Sequence, residues 1–234
     1  MITLHGMGSP NVVKVLLMLE EVEAPYQVER CDVIRGANHA PAFRALNPNG
    51  KVPVLVDDDG PGGQAITLFE SGAILIYLAE KAGRFLPAAS AERYGVLQWL
   101  MFQMGGVGPM FGQAIHFRSG PPGSDYARSR YRTEMRRLAD VIEARLAEGP
   151  FLGGDDYSIA DMAVFPWMRT LARFFPDAAA GPAFTRWRDT IAARPATARA
   201  LAQAEALSAL DAQSFKAATP DELDRYFGRG AYAR

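Results

Sequence analysis

The sequence predicts an α/β domain followed by an all-helical one, and two observations carry that prediction. Within residues 1–82, short apolar or alternating runs interleave with amphipathic segments in the order βαβαββα. From about residue 90 onward every periodic segment repeats at helical spacing, and no run alternates as a strand does. The stretch Lys81-Ala82-Gly83-Arg84-Phe85-Leu86-Pro87 ends the first pattern and begins a linker. These changes set the expected boundaries at 1–83, 90–210 and a tail of 211–234.

The elements follow in order. Ile2-Thr3-Leu4-His5 alternates as a first strand. After a glycine-rich loop, Ser9 and Pro10 stand as N-cap and first helical residue before Val12, Val15, Leu16 and Leu19, the apolar face of a helix running to about Val22. Tyr26 to Val33 reads as a second strand and Ala40 to Leu46 as a short helix. Val52-Pro53-Val54-Leu55-Val56 is a strand whose proline, unable to donate to a ladder, belongs at a sheet edge or a strand start. The acidic, glycine-rich run 57–63 is a loop, and Ala65 to Phe69 closes a hairpin. Ser71 is typed as the N-cap of a helix carrying Ile74, Leu75 and Leu78. In the second half, helices are expected at 91–117, 125–148, 159–174, 181–193 and 196–209. Ser158 and Asp161 have the spacing of a capping box, read as a folding device, and Thr219-Pro220-Asp221-Glu222 looks like another capped start.

Composition excludes several classes. The 234 residues hold 49% hydrophobic and 22% charged side chains, ordinary for a globular protein. No run of about 18 apolar residues suggests a membrane span, and the opening MITLHGMGSPN lacks the pattern of a secretory leader. The formal net charge of −1 gives no general pull toward nucleic acid or anionic membrane. Charge is unevenly placed: residues 1–85 carry 7 Lys/Arg against 10 Asp/Glu, and residues 86–234 carry 18 against 16. The lone Cys31 rules out an internal disulfide and suits a reducing cytoplasm. His5, His39 and His116 lack ligand spacing, so no metal is expected. No nucleophile elbow appears, and Gly106-Val107-Gly108 follows a helix rather than a strand, which excludes a dinucleotide fingerprint.

Asn49-Gly50-Lys51-Val52-Pro53, followed by Phe69-Glu70-Ser71-Gly72-Ala73-Ile74, closely resembles the glutathione site of cytosolic glutathione transferases. The ordinary reading of the same residues is a strand start, a solvated charge and a cap. The resemblance covers about 1–210 and implies the glutathione transferase fold: an α/β thioredoxin-like N-terminal domain plus an all-α C-terminal domain. It also implies a cis Val52-Pro53 bond, and glutathione as co-substrate. In that site Val52 pairs its backbone with the glutathione cysteine, Glu70 takes the γ-glutamyl ammonium, and Ser71 the neighbouring carboxylate. Asn38 matches a polar position reaching the glycyl end, with Lys51 assisting. Arg130 aligns with an arginine contacting a second glutathione, in this subunit or a partner; its ordinary reading is one of many surface arginines.

A glutathione enzyme must stabilise a thiolate, and helix N-termini and hydrogen-bond donors lower a thiol's pKa. The family uses a tyrosine, serine or cysteine near the end of the first strand. This chain has neither tyrosine nor cysteine there, which leaves Ser9 and Asn11; by residue type alone both are also ordinary helix-start residues. Ser9-Pro10-Asn11, Asn47-Pro48-Asn49-Gly50-Lys51 and the run from Gln98-Trp99 through Gly112-Gln113 to His116-Phe117 resemble the nu-class bacterial transferases, related to Ure2-type proteins. That likeness favours Asn11 as main donor with Ser9 in support. It implies a cytoplasmic homodimer reducing small disulfides with glutathione and no protein cysteine. Peroxide reduction, conjugation to electrophiles, or a glutathione-binding regulator without catalysis are the rival readings.

Overall fold

The computed structural model describes residues 1–88, 90–119, 123–178 and 181–232. By contacts the chain groups into two units, residues 1–77 with 196–234, and residues 78–195. The domain limits expected from sequence, 83 and 210, follow the order of elements; contacts instead gather both chain ends around the sheet.

In the first unit, β1 (Ile2–Gly6), β2 (Tyr26–Arg30), β3 (Val54–Asp57) and β4 (Ile66–Phe69) form one sheet in the order β2-β1-β3-β4. β1 runs parallel to β2 and antiparallel to β3, and β3 is antiparallel to β4. A parallel pair needs a crossover, supplied by helix α1 (Pro10–Glu21). Helices α2 (Pro41–Leu46) and α3 (Ser71–Ala82) complete the βαβαββα order. Leu4, Leu16, Leu19, Leu55, Ile74 and Leu75 are fully buried at its core.

Local details depart from the sequence reading. β2 stops at Arg30 instead of continuing to Val33: the Cys31 N–H makes the last bond to β1, at the Gly6 carbonyl (2.8 Å), and the Val33 N–H then turns back onto the Cys31 carbonyl at 2.9 Å. β3 is an interior strand, so Pro53 does not lead an edge; it precedes the ladder, which begins at Val54. Asp57 belongs to β3 and not to the acidic loop. It is buried beside Ile2 and Ile66, its carboxylate accepting from the Tyr77 hydroxyl at 2.7 Å.

Helix α9 (Pro195–Ala217) runs eight residues past its expected end, and α10 (Pro220–Phe227) follows it. Polar bonds hold α9 at both ends. Arg199 and Gln203 reach Glu20 and the Tyr26 hydroxyl, while Asp211 and Ser214 meet Gly8, Arg30 and Asp32. The capping box at Thr219 and Glu222 is formed. So α10 is a true helix, and Glu222 also pairs with Arg35 at 3.3 Å.

The second unit contains α4 (Ala91–Phe102), α5 (Gly108–Phe117), α6 (Asp125–Glu148), α7 (Ile159–Phe174) and α8 (Pro182–Ala192). What the sequence presents as one helix over 91–117 is interrupted by a π-helical turn at Gln103–Val107. The glycines fall at that turn, and Pro109 sits in the first turn of α5, where its missing N–H is harmless. A Cβ at Gly108 would lie 2.8 Å from the Gln103 amide nitrogen, so a larger residue there would push that side chain aside. The Ser158–Asp161 capping box is present, with Asp161 fully buried. Among the described residues no helix is long and apolar enough to cross a membrane.

Candidate active site

Strand register brings three separated segments to one end of the sheet. Val54, the first residue of β3, stands opposite both His5 and Phe69. The loop leaving β1, the Val52-Pro53 segment entering β3 and the Glu70-Ser71 step leaving β4 therefore share that end. Ser9, Asn11, Val52, Pro53, Glu70 and Ser71 are all carried by those segments.

Ser9 occupies the N-cap of α1 in extended backbone, and Pro10 follows as expected. The Ser9 carbonyl accepts from Val12 and Val13 at 3.0 and 3.1 Å. Its hydroxyl makes no cap bond; it is buried and has no hydrogen-bond partner among the described residues. A buried hydroxyl without a partner is rare enough to ask for a ligand. Asn11, one residue into the helix, is partly exposed. Both stand at the positive end of the α1 dipole, which favours a nearby anion.

The Val52-Pro53 bond is cis. Val52 packs its side chain on the buried cluster of Cys31, Phe43 and Val54, while its backbone precedes the ladder. The preceding turn is built by buried Asn47: its Nδ2 donates to the Lys51 carbonyl at 2.7 Å, and its Oδ1 accepts from the Asn49 N–H at 2.9 Å. Gly50 has φ +64°, and a side chain there would strike the Arg44 guanidinium. Asn38 is buried and donates to the Gly50 carbonyl at 2.9 Å; its Oδ1 has no partner among the described residues. It thus braces the turn with one of its amide hydrogens. Lys51 is exposed.

The expected cap at Ser71 is displaced by one residue. Ser71 is the first residue of α3, and Glu70 precedes it at φ +71°, its carbonyl accepting the Ile74 N–H at 3.0 Å. A left-handed glutamate is uncommon, and such conformations gather at ligand sites. The Ser71 hydroxyl, 3% exposed, accepts from Lys14 Nζ at 3.1 Å. Lys14 is 1% exposed, and burial pushes its ammonium down to about 7 against the opposing pull of Glu70. The sequence reading missed Lys14, although a cation inside Val12-Val13-Lys14-Val15-Leu16-Leu17 was a visible signal. It also gave Asn47 no role of its own. An exposed carboxylate beside a hydroxyl, a buried ammonium and a helix N-terminus suits an α-amino-acid group: ammonium on Glu70, carboxylate on Ser71.

Cys31 is buried, and burial, followed by the charge of Asp32, pushes its thiol up to about 11. Such a sulfur is a core atom rather than a nucleophile. Arg130 lies exposed on α6 in the second unit.

The glutathione S-transferase N-terminal domain family matches residues 8–81, and its C-terminal domain family matches residues 109–195. The disulfide-bond oxidoreductase YfcG of Escherichia coli K12 is 45% identical over 207 residues, 88% of this chain and 96% of YfcG. A glutathione transferase family member from Pseudomonas fluorescens, crystallised with two glutathione bound, superposes with a TM-score of 0.81 at 42% identity, covering 86% of this chain and 92% of that one. A Pseudomonas putida glutathione transferase, crystallised with one glutathione disulfide per subunit, gives 0.81 at 40% identity over 86% and 90%. The chain therefore belongs to the glutathione transferase family.

Proposed function

We propose that this protein is a glutathione-dependent disulfide-bond oxidoreductase in which bound glutathione, rather than a protein cysteine, supplies the thiolate. The observation carrying the reading is the Ser9 hydroxyl, buried without a partner at the N-terminus of α1, on the sheet end that also holds Val52, Glu70 and Ser71. The inert Cys31 supports it, as do the names of similar proteins: YfcG as a disulfide-bond oxidoreductase, and transferases crystallised with two glutathione or its disulfide.

In this reading the tripeptide lies extended along the Val52 backbone, its γ-glutamyl group on Glu70 and Ser71. Asn47 and Asn38 hold the Gly50-Lys51 turn toward the glycyl end. Asn11 and Ser9 donate hydrogen bonds to the sulfur, and the α1 dipole adds to them, so the thiol ionises nearer neutral pH. The thiolate attacks one sulfur of the substrate disulfide and expels the other as a thiolate. A second glutathione thiolate then attacks the glutathione sulfur of that mixed disulfide and releases the second substrate thiolate. The two protons lost by glutathione are taken up by the products, so two glutathione and one disulfide give glutathione disulfide and two thiols. Arg130 contacts the second glutathione, with a homodimer as the working form. The compartment is the cytoplasm, where reduced glutathione is supplied.

Turnover of 2-hydroxyethyl disulfide with glutathione tests this. Asn11→Ala is expected to lower kcat by roughly a hundredfold, the scale of losing one preorganised donor to a developing anion. An unchanged rate would overturn the role of Asn11, and glutathione binding without turnover in the wild type would mark a regulator instead.

A further inference from the structure

The loop that carries Ser9 is gripped from the far end of the chain. Met7-Gly8-Ser9 joins β1 to α1, and the Gly8 N–H donates to Asp211 Oδ2 on α9 at 2.7 Å. The other oxygen, Oδ1, accepts from Arg30 Nε and Nη2 at 3.2 and 3.0 Å. Asp211 is 8% exposed, so these bonds lie largely out of water. The approach is close: a Cβ on Gly8 would lie 2.7 Å from the Ser208 Cα and 2.8 Å from its nitrogen. Nothing larger than glycine fits between this loop and the backbone of α9. Ser9, the next residue, is the one whose hydroxyl is left without a partner.

We propose that Asp211 is a positioning residue for thiolate stabilisation: by holding Gly8 it fixes the Ser9 hydroxyl and the start of α1, with Asn11, where the sulfur must sit. This deepens the glutathione reading and rests on it. Arg30 neutralises the carboxylate and sets its orientation, so the loop amide meets a fixed acceptor. A mere structural brace would change only stability. A positioning residue changes how well the bound thiol ionises and reacts, and leaves glutathione affinity largely intact, because Val52, Glu70 and Ser71 are untouched.

Asp211→Ala and Gly8→Ala break the contact from its two sides, the second by steric displacement. With 2-hydroxyethyl disulfide and glutathione, each is expected to lower kcat by about tenfold or more, the scale of small misplacements at a reacting centre. KM for glutathione should stay near the wild-type value. The thiolate absorbance of bound glutathione should titrate at higher pH in both variants. Asp211→Asn keeps an acceptor for Gly8 and should recover part of the loss. Glu222→Gln, which breaks only the exposed pair with Arg35, should behave as wild type. Folded Asp211→Ala with wild-type kcat and an unshifted titration would overturn the proposal; should that variant fail to fold, Gly8→Ala and Asp211→Asn decide it by the same readouts. If calorimetry finds no heat for wild type with reduced or oxidised glutathione, the glutathione reading itself has failed, and the positioning role with it.

Discussion

Ser9 and Ser158 each precede a helix in extended backbone, at φ −118° and −142°. Their side chains end in opposite situations. The Ser158 hydroxyl accepts from the Ala160 N–H and donates to Asp161, whose carboxylate also receives the N–H groups of Leu152 and Ser158 and the Trp187 indole. The Ser9 hydroxyl bonds to none of the described residues, and its helix is closed by the Ser9 carbonyl, with Pro10 removing one N–H that would need a partner. A cap whose hydrogen bonds are complete is a folding device. One that leaves its hydroxyl unengaged in a buried setting keeps a donor for something else.

Breaking the completed cap is expected to have a large effect at fixed pH. Asp161→Ala leaves several buried donors without an acceptor and should destabilise by about 3 kcal/mol, measured by denaturant unfolding. A loss below that of an ordinary surface substitution would remove Asp161 from the core of the second unit.

Next comes the cation beneath Ser71. The folded-state pKa of Lys14, about 7, lies below its ordinary 10.5, so the folded chain releases this proton first. Its contribution is complete above about 10.5 and is lost as pH falls through 7. Stability of wild type relative to Lys14→Met should therefore climb with pH across that window, at about 1.4 kcal/mol per unit where steepest. Parallel curves for the two proteins would mean Lys14 is not held as described.

The two serines then separate directly. Ser158→Ala should cost about 1 kcal/mol of stability with turnover unchanged. Ser9→Ala should move stability by less than about 0.5 kcal/mol, since replacing a hydroxyl that bonds to nothing removes no bond, while lowering kcat. If Ser9→Ala instead unfolds the protein and spares turnover, the contrast between the two caps is reversed.

Much of this was legible because it is local. The βαβαββα order, the Ser158 and Thr219 boxes and the Pro10 helix start each depend on a few adjacent residues whose spacing states the geometry. Where geometry hangs on a backbone angle, the sequence is silent: the left-handed Glu70 shifts the cap off Ser71. An interior strand β3 looks like an edge when only its proline is seen, since strand order depends on pairing with β1. The continuation of α9 through 210–217 was illegible for a related reason. Asp211 and Ser214 are buried by partners at Gly8, Arg30 and Asp32, which no periodicity records. Lys14 stands plainly in an apolar run, but a single lysine there does not say which group it meets.

The Gly8–Asp211 bond joins positions 203 residues apart. At translation speeds of about 5–20 residues per second, the first loop leaves the ribosome roughly 10–40 s before the carboxylate that fastens it. A nascent chain can thus assemble its sheet early while the loop at Gly8 and Ser9 waits for α9. A premature stop just before codon 211 would leave nearly all of the apolar core in a protein whose Gly8 loop is never fastened.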